Sequence, residues 1–330
     1  MSTVLVTGGL GVIGAWVTRQ LLEEGHRPVV FDNRYDTLLV SDIVDRLDIV
    51  VGDIQDLPHL IQTINNYGVE RIIHLAAIMP APAEANPYIG YKINAEGSVN
   101  VLEAARLTDV RRVVATSSKA VYATTQGEYA HPTYKPMDED YPKAPSAVYG
   151  TTKLFLENVC LDYSRIYGLD VIILRFPTPY GIGRQARHGK LAITSRIIES
   201  AMLRQPLKIP QGADQKDDFT YHRDIANGIV LACFAENLEH NVFNIGTGKG
   251  ETLQHMIEIV NGIFGEVPIT IGPGLDFLER PAKDLRYSVF NIDRARNELG
   301  YSPQYDLEAG VKDYIEWMKR LDINPVVLPQ

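Results

Sequence analysis

Apolar and polar positions change period repeatedly along the first 175 residues, and each change marks an element. Val4 to Thr7 is a short β-rich run, and Val12 to Glu24 follows it with helical spacing. Pro28 to Asp32, Ile49 to Val51 and Arg71 to Leu75 read as further strands, with a helix at Leu57 to Asn66 before the last. The rhythm continues through a long amphipathic stretch from Tyr88 to Leu107, the strand Arg112 to Ser117, a helix from Tyr149 to Tyr167 and the strand Asp170 to Arg175. Strands that alternate with helices predict an α/β fold with a doubly wound parallel sheet. Ligands of such a sheet sit outside the carboxyl ends of the strands, so Thr7, Asp32, Leu75, Ser117 and Arg175 are expected around one crevice.

Beyond Arg175 the pattern loosens into Pro- and Gly-containing loops. A helix is expected at Ala192 to Arg204, and a second at Arg223 to Glu236 that returns to the main sheet. Helical stretches Leu253 to Phe264 and Leu307 to Leu321 flank two apolar segments, Pro268 to Ile271 and Tyr287 to Phe290. This divides the chain into a domain over 1–175, rejoined by 220–245, and a smaller lobe made mainly of 176–330 that would hold the substrate. No repeat at solenoid spacing is present, and the Pro-rich composition of the tail Asn324 to Gln330 leads to the expectation of an extended segment.

Composition narrows the classes. The chain has 330 residues, 45% hydrophobic and 22% charged, which is enough to bury a core and too apolar for disorder. Its net charge of -9 argues against nucleic acid and anionic membranes as partners, and no block of Lys and Arg offsets it. No apolar run approaches the roughly 18 residues of a membrane span. Met1-Ser2-Thr3 leads straight into the first strand without a basic leader, so a cytoplasmic location is expected. Cys160 and Cys233 fall in apolar helical stretches and read as small buried hydrophobes, not as a disulfide framework.

The first turn carries candidate chemistry. In Thr7-Gly8-Gly9-Leu10-Gly11-Val12-Ile13-Gly14, Gly8, Gly11 and Gly14 supply a tight turn, close backbone approach and close helix packing. Amides at the helix start, around Val12 and Ile13, then face a pyrophosphate. The second strand ends at Asp32, where a carboxylate bonds ribose hydroxyls and repels a 2′-phosphate. NAD is therefore expected over NADP, although Arg34 nearby would suit a phosphate. The fold expected is Rossmann-like.

Tyr149 and Lys153 lie one helical turn apart, on one face of a helix. An ammonium near a phenol favours phenolate, so Tyr149 can accept a proton from a secondary alcohol as hydride leaves carbon. Ser118, at the end of the fifth strand, can donate and accept together and would orient the alcohol, with Ser117 beside it. Position decides this reading, because Tyr88 and Lys92 share the spacing with no chemistry around them. The eight histidines show no metal-ligand spacing and no Gly-x-Ser-x-Gly elbow exists, so neither a metal site nor a serine hydrolase is expected.

With these residues the chain resembles the extended short-chain dehydrogenase/reductase family, which includes nucleotide-sugar 4-epimerases. The likeness runs along nearly the whole length. It rests on Thr7 to Gly14, Asp32-Asn33, Gly52-Asp53-Ile54, His74-Leu75-Ala76-Ala77, Asn94 with Gly97, Thr116 to Tyr122, Tyr149 to Lys153 and Tyr180-Gly181. The resemblance implies that Asn33 joins Asp32 at the cofactor, that Asp53 and Ile54 bracket adenine, and that Leu75, Ala76 and Ala77 line the cofactor channel. It also implies that Asn94 approaches the nicotinamide side, that Thr116 belongs to the cofactor site, and that the protein is a homodimer through helices Tyr88 to Leu107 and Tyr149 to Tyr167.

The pattern departs in places. Lys119-Ala120 follows Ser118 where related dehydratases carry an acidic pair, which disfavours dehydration. Thr178 stands in place of an asparagine, and Asp217-Asp218 where an arginine would meet a diphosphate, so repulsion is expected there. Arg280 resembles a retained phosphate-binding arginine, and Thr178 with Arg184 resembles a variant of hexuronate 4-epimerases. Arg187, His188 and His222 are either further recognition groups overhanging the cleft or solvated loop residues. The sequence thus puts first an NAD-dependent dehydrogenase of a small sugar-like or hydroxy-acid substrate. A nucleotide-sugar 4-epimerase comes second, and a non-catalytic NAD-sensing scaffold is the alternative from another class.

Overall fold

The computed structural model describes residues 1–185, 192–278 and 287–326. Seven strands form one parallel sheet: β1 (Thr3–Thr7), β2 (Arg27–Asp32), β3 (Asp48–Val51), β4 (Arg71–His74), β5 (Arg112–Ser118), β6 (Val171–Phe176) and β7 (Val242–Asn244). Their spatial order is β7-β6-β5-β4-β1-β2-β3. The chain winds outward from β1 through β2 to β3, then returns to β4 and winds the other way. The crevice at the carboxyl ends of β1 and β4 is therefore the switch point where such sheets bind ligands.

Helices cover both faces, which is why the strands read as continuous apolar runs. Helices α1 (Gly14–Glu23) and α5 (His222–Phe234) lie on one face; α2 (Leu57–Tyr67), α3 (Gly97–Leu107) and α4 (Val148–Tyr167) lie on the other. Alternate strand residues feed the two cores: Val4 and Val6 pack toward α1, and Leu5 between them toward α2 and α3. Cys233 is buried in the first core and Cys160 in the second, both as free thiols.

The long stretch expected from Tyr88 to Leu107 is broken. A helix at Pro87–Tyr91 passes into a π turn over Lys92–Glu96 before α3 begins at Gly97. A π turn of five residues is too short to show a period of its own between the helices on either side, so the pattern does not betray it. Gly97 is required at the join, because a Cβ there would come within 2.6 Å of the Ile54 side chain.

The expected return of the chain is visible: α5 packs against α1, and β7 extends the sheet beside β6. Strand Ile269–Ile271 pairs in parallel with Leu207–Ile209 in a separate two-stranded ribbon. The helix Leu307–Arg320 docks Trp317 edge-on against Trp16 at 4.7 Å, with the Arg19 guanidinium 4.6 Å from the Trp317 ring. Among the described residues no helix is long and apolar enough to cross a membrane.

Candidate active site

The turn between β1 and α1 is shaped by absent side chains. Gly8 has φ +72°, and a Cβ there would lie 2.9 Å from the Ala76 amide nitrogen. A Cβ on Gly14 would lie 2.2 Å from the Gly8 carbonyl oxygen, so the helix can approach the turn only as glycine. Val12 and Ile13 lead into α1, whose first turn has no side-chain cap and no acidic residue. The Ala15 and Trp16 amides donate to the Gly11 and Ile13 carbonyls, and those of Val12, Ile13 and Gly14 are the ones placed to meet an anion. Asp32, at the end of β2, accepts from the Leu10 amide at 3.1 Å and the Arg34 amide at 3.2 Å, which fixes its carboxylate beside the turn. Asn33 and Asp53 are exposed on the rim, and the Asp53 carboxylate accepts from Gln55. Ile54 is buried against Gly97, and Leu75, Ala76 and Ala77 line the half-buried segment after β4. A cradle that only glycine permits, with a carboxylate at the ribose position, fits a dinucleotide.

The catalytic candidates come together at the end of β5. Ser118, at the strand end, acts on the Tyr149 phenol in favour of its ionised form, while Lys153 follows one turn along α4. The Lys153 ammonium lies 5.7 Å from the centre of the Tyr149 ring and donates to the Thr116 carbonyl at 2.8 Å. Burial brings this ammonium down to about 8, against the weaker upward pull of Cys160 and Glu157. Burial also pushes the Tyr149 phenol up to about 12. The largest counterweight is the Arg184 guanidinium, followed by Ser118. Lys153 occupies the place its spacing predicts, but Arg184, read from the sequence as a substrate residue, also faces the base. Arg184 is 8% exposed, is itself brought down to about 10 by burial, and its Nε has no hydrogen-bond partner.

Several expectations are corrected. Ser117, placed with the substrate from sequence, points the other way and donates to Glu157 at 2.5 Å, because neighbours on a strand face opposite sides. Glu157 in turn forms a buried ion pair with Arg175 at 2.7 Å. The Asn94 side chain accepts from the Ile78 amide at 2.8 Å and donates to the Ile78 carbonyl at 3.0 Å. Thr116 gives its carbonyl to Lys153 and its hydroxyl to the His74 carbonyl at 2.9 Å. His222 does not overhang the cleft; it is fully buried at the start of α5, packed where a Cβ on Gly181 would stand.

The repulsive face expected at Asp217 and Asp218 is absent. Lys119, which sequence reasoning did not assign, bonds both Asp217 oxygens at 2.6 and 2.8 Å and the Thr178 hydroxyl at 2.6 Å. The Thr178 hydroxyl donates to Asp217 at 2.5 Å, so it too is committed within the protein. Asp218 accepts from the amides of Thr247 and Gly248 and from the Thr220 hydroxyl. Arg280, Arg187 and His188 lie outside the described residues. Among the described residues no group of three His, Cys, Asp or Glu side chains could hold a metal ion.

A doubly wound parallel sheet, a glycine cradle on its first turn and a Ser-Tyr-Lys constellation after its fifth strand define a dinucleotide-dependent enzyme. The chain belongs to the NAD dependent epimerase/dehydratase family, whose sequence model matches residues 4–246. NAD is thus the cofactor that the cradle accommodates. A Methanocaldococcus jannaschii protein provisionally named UDP-glucose 4-epimerase is 31% identical over 96% of this chain and 98% of its own length. The UDP-glucuronate 4-epimerase of Thermodesulfobacterium geofontis is 28% identical over 97% of each. The crystal structure of UDP-glucose 4-epimerase from Thermotoga maritima with UDP-glucose superposes with a TM-score of 0.83 at 26% identity, covering 96% of this chain and 99% of that one.

Proposed function

We propose that this protein is a nucleotide-sugar 4-epimerase acting on a UDP-hexose or UDP-hexuronate. The observation that carries the reading is the Ser118 hydroxyl set on the Tyr149 phenol with Lys153 buried behind them. The likeness to 4-epimerases along the full chain supports this reaction over the net dehydrogenation that the sequence put first. Pairing of Asp217 with Lys119 also removes the electrostatic objection to a diphosphate.

Bound in the cradle of Gly8, Gly11, Gly14 and Asp32, NAD supplies a reversible hydride acceptor. Tyr149 takes the proton of the sugar hydroxyl and later returns it. Ser118 orients that hydroxyl, and its one proton stabilises the anionic oxygen of the pair, favouring the ionised phenol before the transfer. Arg184 holds positive charge that favours the ionised phenol against the opposing effect of burial, and the Lys153 ammonium lies 5.7 Å from the ring centre. The unpartnered Nε of Arg184 gives the site a donor for a substrate carboxylate or hydroxyl. The reading includes a homodimer. Tyr88 and Tyr91 on one side, and Phe155, Leu161, Ile166 and Tyr167 on α4, are large apolar side chains left exposed where a second copy would cover them.

Purified protein with NAD is incubated with UDP-glucose, UDP-glucuronate, free hexoses and sugar acids, and products and reduced nicotinamide are followed. The expected result is the 4-epimer of a UDP-sugar without accumulation of reduced cofactor. Reduced cofactor formed in proportion to an oxidised free sugar would replace this reading with the dehydrogenase. The commitment of the Lys119 ammonium to Asp217 and Thr178, in place of a phosphate, favours that second reading.

A further inference from the structure

Five buried polar residues join the cofactor crevice to α4. The Thr7 hydroxyl meets His74 Nδ1 at 2.8 Å, and His74 Nε2 meets the Ser98 hydroxyl at 2.9 Å. Ser98 donates to the Asn94 carbonyl at 2.6 Å. The Asn94 amide then donates to the Thr152 hydroxyl at 3.3 Å, and Thr152 donates to the Tyr149 carbonyl at 2.8 Å. Thr7, His74, Ser98, Asn94 and Thr152 are all at most 2% exposed.

The donors and acceptors allow one direction only. Ser98 uses its proton on a carbonyl, so it must accept from His74 Nε2–H. His74 then has a bare Nδ1 that accepts from Thr7, whose oxygen accepts in turn from the Ala76 amide at 3.4 Å. A protonated imidazole would turn Nδ1 into a donor and take away the acceptor of the Thr7 proton. Burial, aided by the nearby Lys153 ammonium, holds this histidine neutral, down to about 3. A second arm leaves the same residue: the His74 carbonyl accepts from the Thr116 hydroxyl, and the Thr116 carbonyl holds Lys153.

Apolar residues would fill this layer at less risk, since each buried polar group costs about 1–3 kcal/mol if it loses its partner. What a directed line adds is a fixed relative placement of the elements at its ends. Those ends are the Ala76 to Ile78 segment beside the glycine turn and the first turn of α4. Asn94, within the π turn over Lys92–Glu96, contributes both its carbonyl and its side-chain amide to the path.

We infer that His74, Ser98 and Thr152 are positioning residues that set the Tyr149–Lys153 pair against the cofactor crevice through two hydrogen-bonded arms that diverge at His74. This rests on Tyr149 being the base, as in the function proposed above. Thr152 never touches substrate; it acts through Tyr149.

The test uses the NAD-loaded protein carrying tyrosine labelled with ¹³C at Cζ, with the Tyr149 signal assigned by its loss in Tyr149→Phe. Thr152→Val removes the hydroxyl at nearly constant volume, Thr152→Ser retains it, and Ser98→Ala cuts the line two links earlier. Thr152→Val and Ser98→Ala are expected to move the Tyr149 titration upward, because a loosened phenol loses Ser118, while Thr152→Ser leaves it near that of the unmodified protein. With UDP-glucose as the probe, Thr152→Val is expected to lower kcat about tenfold or more, with KM and NAD affinity within about twofold. An unmoved titration in Thr152→Val overturns the inference, as does a Thr152→Ser variant displaced as far as Thr152→Val. The titration needs no substrate, so failure of the unmodified protein to turn over any UDP-sugar would count against the proposed reaction alone.

Discussion

Lys119 and Asp217, 98 positions apart in sequence, form a buried ion pair in which the ammonium touches both carboxylate oxygens. Asp217 is 2% exposed and Lys119 17%, so each depends on the other for its charge. Asp217→Asn is expected to destabilise the fold by about 3 kcal/mol, because it strands a buried ammonium; adding Lys119→Met should reduce the loss to about 1 kcal/mol. Urea unfolding of the two single variants and the double variant measures the coupling, and additive losses would show that the pair is not a unit.

Lys153 illustrates a conflict between activity and stability. At pH 7 the folded protein holds a buried ammonium that titrates at about 8 instead of 10.5, at a cost on the order of 3 kcal/mol. Between pH 8 and 10.5 the folded form has lost a proton that the unfolded chain keeps, so this group makes stability rise with pH across that window. Lys153→Met is expected to raise Tm at pH 7, flatten that rise and abolish turnover. A lower Tm in calorimetry would mean that the bond to Thr116 outweighs desolvation.

His74 gives the opposite limb. It stays neutral in the fold down to about pH 3, whereas the unfolded chain takes up the proton near 6.5. Its contribution is complete above pH 6.5 and is lost as pH falls from there to about 3, at about 1.4 kcal/mol per pH unit. His74→Gln should flatten the acid limb of stability measured by urea midpoints between pH 4 and 7, as far as other groups allow.

Arg184 faces the phenol and has no carboxylate to neutralise it among the partners that shift it. Arg184→Met should raise the pH at which Tyr149 ionises, so the rising limb of kcat/KM moves to higher pH and activity at pH 7 falls. Rate profiles from pH 6 to 10 decide it; an unmoved limb would confine Arg184 to substrate contact.

The exposed side chains of α4 predict assembly. Phe155→Glu combined with Leu161→Glu should convert a dimer to a monomer in solution scattering while leaving the helical circular dichroism intact. A monomeric mass for the unmodified protein would refute the proposed interface.

Much of this was open to reading in the chain. Six strands and the helices between them followed from period, and the glycine turn, Asp32 and Tyr149-Lys153 followed from spacing and place. What period could not supply was orientation and distance. Ser117 and Ser118 are both polar at a strand end, and only the sheet decides which faces the cleft. The π turn at Lys92–Glu96 is too short to carry a period of its own. Lys119 with Asp217, and Arg184 with Tyr149, join segments whose proximity depends on loops outside any repeat. Thr152 did carry a signal, since a threonine three residues after Tyr149 can bond back to its carbonyl, but its other partner, Asn94, comes from a different helix.

The return of α5 to cover α1 has a consequence for biosynthesis. A nascent chain that has emerged only as far as β6 already contains every residue of the glycine cradle and of the Ser-Tyr-Lys trio. It still presents the apolar flank of α1 to its surroundings; that flank is covered once residues 222–234 have left the ribosome, and at Trp16 only once residues 307–320 have followed.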